Sequence, residues 1–361
     1  MRIGVNALYL IPGRVGGTEI YLRSLLRALA ALDSENHYTV FTNAETGADL
    51  VPAAPNFSRA PQSCRAAIRP VRILWEQFLL PRAVKKAKLD VLLNPGFTSP
   101  AWRCCPNVTV FHDLQHVRHP EYFRTLDLLF WRLLLWSSAR RSARLIAVSE
   151  ATREDLRAHY GVDAAVIHHG VANDFFEIAP RREPRRFLLC VSTLHPHKNL
   201  DRLLRAFDIP DMQLVIAGLR GFHTSELERL IAERDLSSRV RLTGWIPRTE
   251  LLELLRTAWA FIYPSTFEGF GMPVLEAMAA GLNVACSRIP ALEEVGGNTV
   301  GYFDPLSEEQ IRETMRRLAS ESSAPPASAQ MRAREFSWER AARQTLDCLL
   351  EAARGADMDG R

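Results

Sequence analysis

The chain has 361 residues, 47% of them hydrophobic and 24% charged, a globular composition whose length suits two hydrophobic cores better than one. Its net charge of +4 is too small to argue for nucleic acid, and no nucleic-acid partner is expected. The charge is uneven, with +5 over residues 1–180 and −1 over residues 181–361, which allows an acidic partner or an anionic membrane surface near the first half.

The opening residues MRIGVNALYLI lack a signal-peptide cleavage pattern, and RIGVNAL reads as a first buried strand. TEIYLRSLLRALAAL follows with helical spacing of Ile20, Leu22, Leu25, Leu26 and Leu29, and Thr18 reads as its N-cap. YTVFTN, DVLLNPG, NVTVFHD and RLIAVSE are short apolar runs that end in polar residues or glycine. Apolar strands separated by helices predict a parallel α/β sheet. Sites in such sheets form at the C-terminal strand ends, so Asn94, His112, Asp113 and Ser149 are the residues to watch.

The composition changes near residue 180. EIAPRREPRR carries two prolines and four arginines and reads as a linker. A second α/β series follows in RFLLCVST, QLVIAG, RVRLTGW, AFIYPS and NVACS, with helices between them. SSAPPASAQ is a small, polar break, and a last helix runs from roughly Trp338 to Ala353. Two doubly wound domains joined by a linker would face each other across a cleft and direct their strand ends into it. The six cysteines form no C-x-x-C pair and read as free thiols of a reducing cytoplasm. No window of eighteen apolar residues without charge is present, so no spanning helix is expected.

The chemistry concentrates in YPSTFEGFGMPVLEAMAAGLNV, residues 263–284. Here AFIYPS is a strand and TFEGFG its loop. Pro273 then opens a helix that stops at Gly281. Backbone amides at Gly269 and Gly271, with the helix N-terminus, make an anion site suited to phosphate. Glu276, one turn into the helix, can accept hydrogen bonds from ribose hydroxyls. Glu268, on the loop, can accept them from sugar hydroxyls. A lone pair of glutamates at this spacing would otherwise read as a helix-dipole charge and a solvated side chain. The glycines and proline between them favour the ligand reading.

The pattern E-G-F-G-x-P-x-L-E-A-M-A-x-G resembles the signature of the retaining family 4 glycosyltransferases, which have the GT-B fold. GRVGGTEIYLRSLL (13–26), TVFHDLQHVRHPEYF (109–123), AVSEATREDL (147–156) and VIHHGVAND (166–174) resemble further family segments. So do CVSTLHPHKNLDRLLRAF (190–207) and SRIPALEEVGGNTVGYFDP (287–305), and the likeness covers roughly residues 2–320. It implies an acceptor-binding Rossmann-like domain over residues 1–180 and a nucleotide-sugar-binding one over 181–335. Residues 336–361 would form a C-terminal helix packing back towards the N-terminal domain.

By the same resemblance, Glu276 holds the ribose and Glu268 the transferred sugar. Gly269, Phe270, Gly271 and Met272 line the donor, the amides of Gly271 and Met272 facing diphosphate or sugar, and Lys198 pairs with the diphosphate. A fixed cation there is worth most as charge builds on the leaving group. Many members carry arginine where this chain has His197, and others carry one near Thr193. His197 would then have to be protonated when donor is bound, or another cation, such as Arg248 or a linker arginine, would have to help. His112 would hydrogen-bond the sugar and order the acceptor, and Gly16 and Gly17 would let backbone approach sugar or phosphate. The resemblance implies retention by same-face displacement, so the two-carboxylate scheme of glycosidases does not apply to Glu268 and Glu276. No D-x-D clamp is present, and neither a metal nor another cofactor is expected; the nucleotide-sugar is a substrate.

The implied function is a hexosyltransferase of polysaccharide or O-antigen-type assembly, using GDP-mannose, with UDP-glucose or another UDP-sugar as the rival donor. A non-catalytic sugar-nucleotide-binding subunit of a membrane assembly is the alternative of another class. The expected acceptor is a saccharide or a polyprenyl-linked one. RAAIRPVRILWEQFLLPRAVKKAK (65–88) and FRTLDLLFWRLLLWSSARRSARL (123–145) mix aromatic and basic residues. Such helices either lie on anionic membrane or pack in the core with solvated basic edges. The expected location is the cytoplasm, with peripheral contact at the inner face of the membrane.

Overall fold

The structure, a computed structural model, describes residues 1–13, 16–102, 104–178, 183–321 and 327–359. Residues 179–182 of the expected linker, 322–326 of the expected break and 14–15 of the glycine loop lie outside the described residues. The chain divides into two compact units, Met1–Gly170 with Trp338–Arg361, and Val171–Ser337.

The first unit holds strands β1 (Arg2–Ala7), β2 (His37–Thr42), β3 (Phe57–Pro61), β4 (Val91–Asn94), β5 (Asn107–Phe111), β6 (Arg144–Ala147) and β7 (Ala165–Val166). All pair in parallel, in the order β3-β2-β1-β4-β5-β6-β7. Every residue of β4 and β5 is buried, as parallel strands covered on both faces require. Its helices are α1 (Gly17–Leu32), α2 (Arg69–Leu74), α3 (Leu80–Lys86), α4 (Gln115–Arg118), α5 (Thr125–Arg141) and α6 (Glu150–Tyr160). Helix α1 buries Tyr21, Leu22, Leu25, Leu26 and Leu29, while Ile20 is exposed. The helix starts before Thr18, because Gly16 turns the backbone at φ 58 and ψ −127, a conformation glycine adopts without penalty. Thr18 is thus helical, and its carbonyl accepts from the Tyr9 hydroxyl at 3.3 Å.

The second unit holds β8 (Phe187–Val191), β9 (Gln213–Ala217), β10 (Val240–Gly244), β11 (Ala260–Tyr263), β12 (Asn283–Ser287) and β13 (Gly301–Phe303), again parallel, in the order β10-β9-β8-β11-β12-β13. Helices α7 (Asn173–Ile178), α8 (Leu200–Ala206), α9 (Thr224–Glu233), α10 (Arg248–Thr257), α11 (Met272–Ala279), α12 (Pro290–Gly296), α13 (Glu308–Ser320) and α14 (Ala327–Arg334) flank this sheet. The strand order reverses between β8 and β11, which leaves a crevice at their C-terminal ends. Helix α15 (Trp338–Asp359) belongs to the first unit and packs on α1, β4, β5 and β6. Both units are thus doubly wound, Rossmann-like α/β layers.

Candidate active site

In the second unit, β8 and β11 are hydrogen-bonded neighbours, so the loops that leave them are adjacent. The β8 loop tightens into a short 3-10 turn over Pro196–Lys198 and ends on Asn199 in the left-handed region, φ 58. Buried Asn199 donates through Nδ2 to the carbonyls of Pro264 (3.0 Å) and Pro305 (2.7 Å). The Thr266 amide (2.8 Å) and hydroxyl (3.0 Å) both donate to the His197 carbonyl. These bonds fasten one loop to the other.

The fastening brings Lys198 to Glu268. Lys198 Nζ lies 2.6 Å from Glu268 Oε1 and 3.2 Å from the Tyr263 hydroxyl, which itself donates to Glu268 Oε1 at 2.8 Å. Both charged side chains are about nine-tenths buried, so their attraction is poorly screened. Burial, then the Glu268 charge, holds the Tyr263 hydroxyl well above its ordinary range, so it stays a proton donor.

Glu276 sits in different surroundings. Gly271 caps α11 at φ 113, and a Cβ there would lie 2.4 Å from Leu292 Cδ2, so the position is closed to side chains. The turn presents the α11 N-terminus beside the loop and buries Glu276 in the second helical turn. Burial raises its carboxyl to about 7, with Arg248 opposing and Asp174 reinforcing the shift. Arg248 grips Asp174 through two bonds, 2.7 and 2.8 Å, and stacks over Phe175 at 4.6 Å. The Phe270 ring packs on Phe336 at 5.8 Å, so backbone is what this residue can offer a ligand. His197 stacks on His195 with ring centroids 6.0 Å apart.

In the first unit, His112 follows β5 and is buried, with Nε2 2.8 Å from the Pro95 carbonyl. Desolvation lowers its pKa to about 4, so the ring is neutral at pH 7. A carbonyl only accepts, so Nε2 carries the proton and Nδ1 is an acceptor. Tyr21 meets the ring edge-on at 4.8 Å and Phe97 at 5.2 Å. The other watched strand ends serve the fold. Asn94 links Asn6 to Asn107, Asp113 accepts from the Gln115 amide, and Ser149 caps α6 by accepting from the Thr152 amide. A Cβ on Gly16 or Gly17 would meet nothing within 4 Å. Glu19 braces the loop by accepting from the Gly13 amide (2.7 Å) and from Arg23 (2.8 Å). Among the described residues, no group of three or more His, Cys, Asp or Glu could hold a metal ion.

Comparison with known proteins decides the family. The model of Glycosyltransferase Family 4 matches residues 15–175, and that of Glycosyl transferases group 1 matches residues 171–336. Glycogen synthase of Mycobacterium tuberculosis is 31% identical over 289 residues, which cover 73% of this chain and 68% of that protein. The chain belongs to the glycosyltransferases with family 4 and group 1 domains. This glycosyltransferase is also 27% identical to O-antigen chain mannosyltransferase B of Escherichia coli, over 91% of its own length and 94% of the relative's. The structure of sucrose-phosphate synthase from Thermosynechococcus elongatus superposes with a TM-score of 0.79 at 19% identity, over 96% of this chain and 98% of that one. The two Rossmann-like sheets are those of the GT-B fold.

Within the glycosyltransferase's second unit, Lys198, Glu268 and Glu276 gather at the switch point together with Gly269, Gly271 and Met272. Three neighbours of this group escaped the sequence reading. Tyr263 carried a signal as the last residue of its strand, and Asn199 as the polar residue directly after Lys198. Asp174, 74 positions from Arg248, carried none.

Proposed function

We propose that the chain transfers a hexose, with retention, from a nucleotide-sugar to a saccharide or polyprenyl-linked acceptor in surface-polysaccharide assembly. The observation that carries this reading is the buried Lys198–Glu268 pair at the β8/β11 switch point, beside Glu276 and the α11 N-terminus. The diphosphate lies at the α11 N-terminus, within reach of the Lys198 ammonium. Glu276 accepts from the ribose hydroxyls and Glu268 from the transferred sugar. As the bond from sugar C1 to phosphate oxygen breaks, Lys198 holds the growing negative charge. The acceptor oxygen bonds to C1 on the same face, and its proton passes to the leaving phosphate oxygen. His112 accepts a sugar hydroxyl at Nδ1. No divalent ion takes part, so transfer persists in a chelator.

The donor we favour is GDP-mannose, supported by the likeness to an O-antigen mannosyltransferase along nearly the whole chain. The glycogen synthase likeness favours a glucosyl donor, such as UDP-glucose, as the second reading. A donor panel separates them. Nucleotide release is measured from GDP-mannose, UDP-glucose, UDP-GlcNAc and UDP-galactose, with and without membrane lipid extract, in the presence of EDTA. GDP released fastest from GDP-mannose is expected. Faster UDP release from UDP-glucose would move the assignment to the second reading. Silence from every donor, by folded protein that still binds nucleotide, would leave a non-catalytic binding subunit.

A further inference from the structure

Large hydrophobic side chains stand exposed in one region of the first unit. Among the described residues, twelve of the seventeen exposed ones lie between Ile68 and Trp136. Helix α5 buries Leu135, Ser138 and Ala139 on its inner face. Its outer face carries Leu126 (84% exposed), Leu129, Phe130, Leu133 (60%) and Trp136. At 100° per residue these five span an arc of about 120°, a continuous apolar stripe. A second stripe runs along α2 and the turn after it, through Ile68, Val71, Leu74 and Phe78.

The two stripes belong to neighbouring elements. The Arg69 guanidinium lies 3.9 Å over the Trp131 ring of α5. The segment from Ser99 to Ala101 joins them from the other side. Gln77 bonds the Ser99 carbonyl (3.0 Å) and the Ala101 amide (2.8 Å), while Ser138 and Arg141 of α5 bond the Ser99 amide and the Ala101 carbonyl. Trp102, 68% exposed, follows at once. Scattered surface leucines are ordinary, but an apolar patch made of two adjacent helices marks an interaction site.

Charge identifies the occupant. Residues 65–141 hold thirteen Lys and Arg against five Asp and Glu, a net +8, while the whole chain is +4. The ion pairs in this stretch, among the described residues, are Arg72–Glu76, Arg118–Asp155 and His119–Glu121. Arg124, Arg132, Arg140 and Arg141 therefore keep uncompensated charge along the α5 stripe. A second copy of the chain docked here would bring arginines against arginines. A surface that is apolar beneath and anionic at its face matches both features at once.

We propose that the α2 and α5 faces dock the protein on an anionic lipid bilayer, with the apolar stripes entering the headgroup boundary and the arginines at the phosphates. No described helix is long and apolar enough to cross a membrane, so the contact lies in the plane of one leaflet. The inference does not depend on which donor the enzyme uses, and vesicle binding is read without one.

Flotation of the full chain with vesicles is the experiment. Vesicles of phosphatidylcholine and phosphatidylglycerol in about a two-to-one ratio should carry the protein, pure phosphatidylcholine should not, and added salt should release it. Trp136 and Trp102 fluorescence should shift to the blue on binding. Replacing Arg124 and Arg132 with serine should weaken binding by about fivefold per arginine. Leu129→Asp with Leu133→Asp should abolish it, while leaving nucleotide release with a water-soluble acceptor unchanged. Three results would overturn the proposal: folded wild-type protein left behind by the anionic vesicles; the double aspartate variant floating like wild type; or a dimer that dissociates in that variant and persists on vesicles.

Discussion

Glu276 and Glu268 stand eight positions apart, yet their surroundings assign them different work. Glu276 is buried, and desolvation pushes its carboxyl up to about 7. A raised carboxyl pKa means that folding favours the protonated form. Its contribution to stability is therefore present in full below the ordinary carboxylate range and is lost as pH rises through about 7, at a cost of ~3 kcal/mol by pH 8. Glu276→Gln removes that titration, so its stability relative to wild type should improve from pH 5 to pH 8 in urea melts. Ribose hydroxyls donated to the carboxylate would offset the desolvation. Nucleotide affinity of the wild type should then rise from pH 5.5 to 7.5, while Glu276→Gln binds more weakly and with a flat profile. A flat wild-type profile would remove Glu276 from the nucleotide. Glu268 already has a cation and a phenol on one oxygen. Its exchange for glutamine should lower transfer by about 100-fold with little change in nucleotide binding, the mark of an interaction made chiefly in the transition state.

At the scale of elements, the site exists because two loops are fastened at the ends of paired strands. Asn199 bears most of that task, with a left-handed backbone and two buried bonds to carbonyls across the crevice. Asn199→Ala should strand both carbonyls and cost about 2–4 kcal/mol in urea melts. Transfer should fall further than stability alone explains, because Lys198 loses its aim at Glu268. Equal activity per folded molecule would show that the loops hold without it. How much of this was legible depends on the range of the interaction. The alternation of apolar runs and helical stretches predicted the doubly wound sheets, and E-x7-E with its glycines predicted a carboxylate pair around a helix N-terminus. Strands β3 and β13 were not legible, since FSRAP and GYF are too short and too mixed to show a period. The start of α1 was misplaced because Thr18 has the chemistry of a cap, whereas the bend at Gly16 shows only in the backbone angles. The Arg248–Asp174 clamp beside Glu276 joins residues 74 positions apart, which no local pattern encodes.

At the scale of the whole molecule, the two units differ in how the chain builds them. The second unit is one continuous segment, whereas the first is completed only when α15 returns to it. That helix buries Ala341, Ala342, Leu349 and Ala352, and Trp338 stacks on His169 at 5.8 Å and lies 5.9 Å from Tyr21. Tyr21 also meets His112 edge-on, so the last helix supports the aromatic cluster that holds the histidine. Leu349 is fully buried, and Leu349→Ala should cost about 2–4 kcal/mol through lost burial and the cavity left behind. Ending the chain at Ser337 removes the whole α15 face and opens the β4–β6 layer to water. The core of the first unit should then unfold by itself, since the second unit owes none of its segments to α15. Hydrogen exchange reads this directly. In the shortened chain, amides of α1, β4 and β5 should exchange at the rate of unfolded peptide, while those of β8, β11 and α11 stay protected and nucleotide is still bound. Continued protection of α1 would mean that the first unit closes its core without the C-terminal helix.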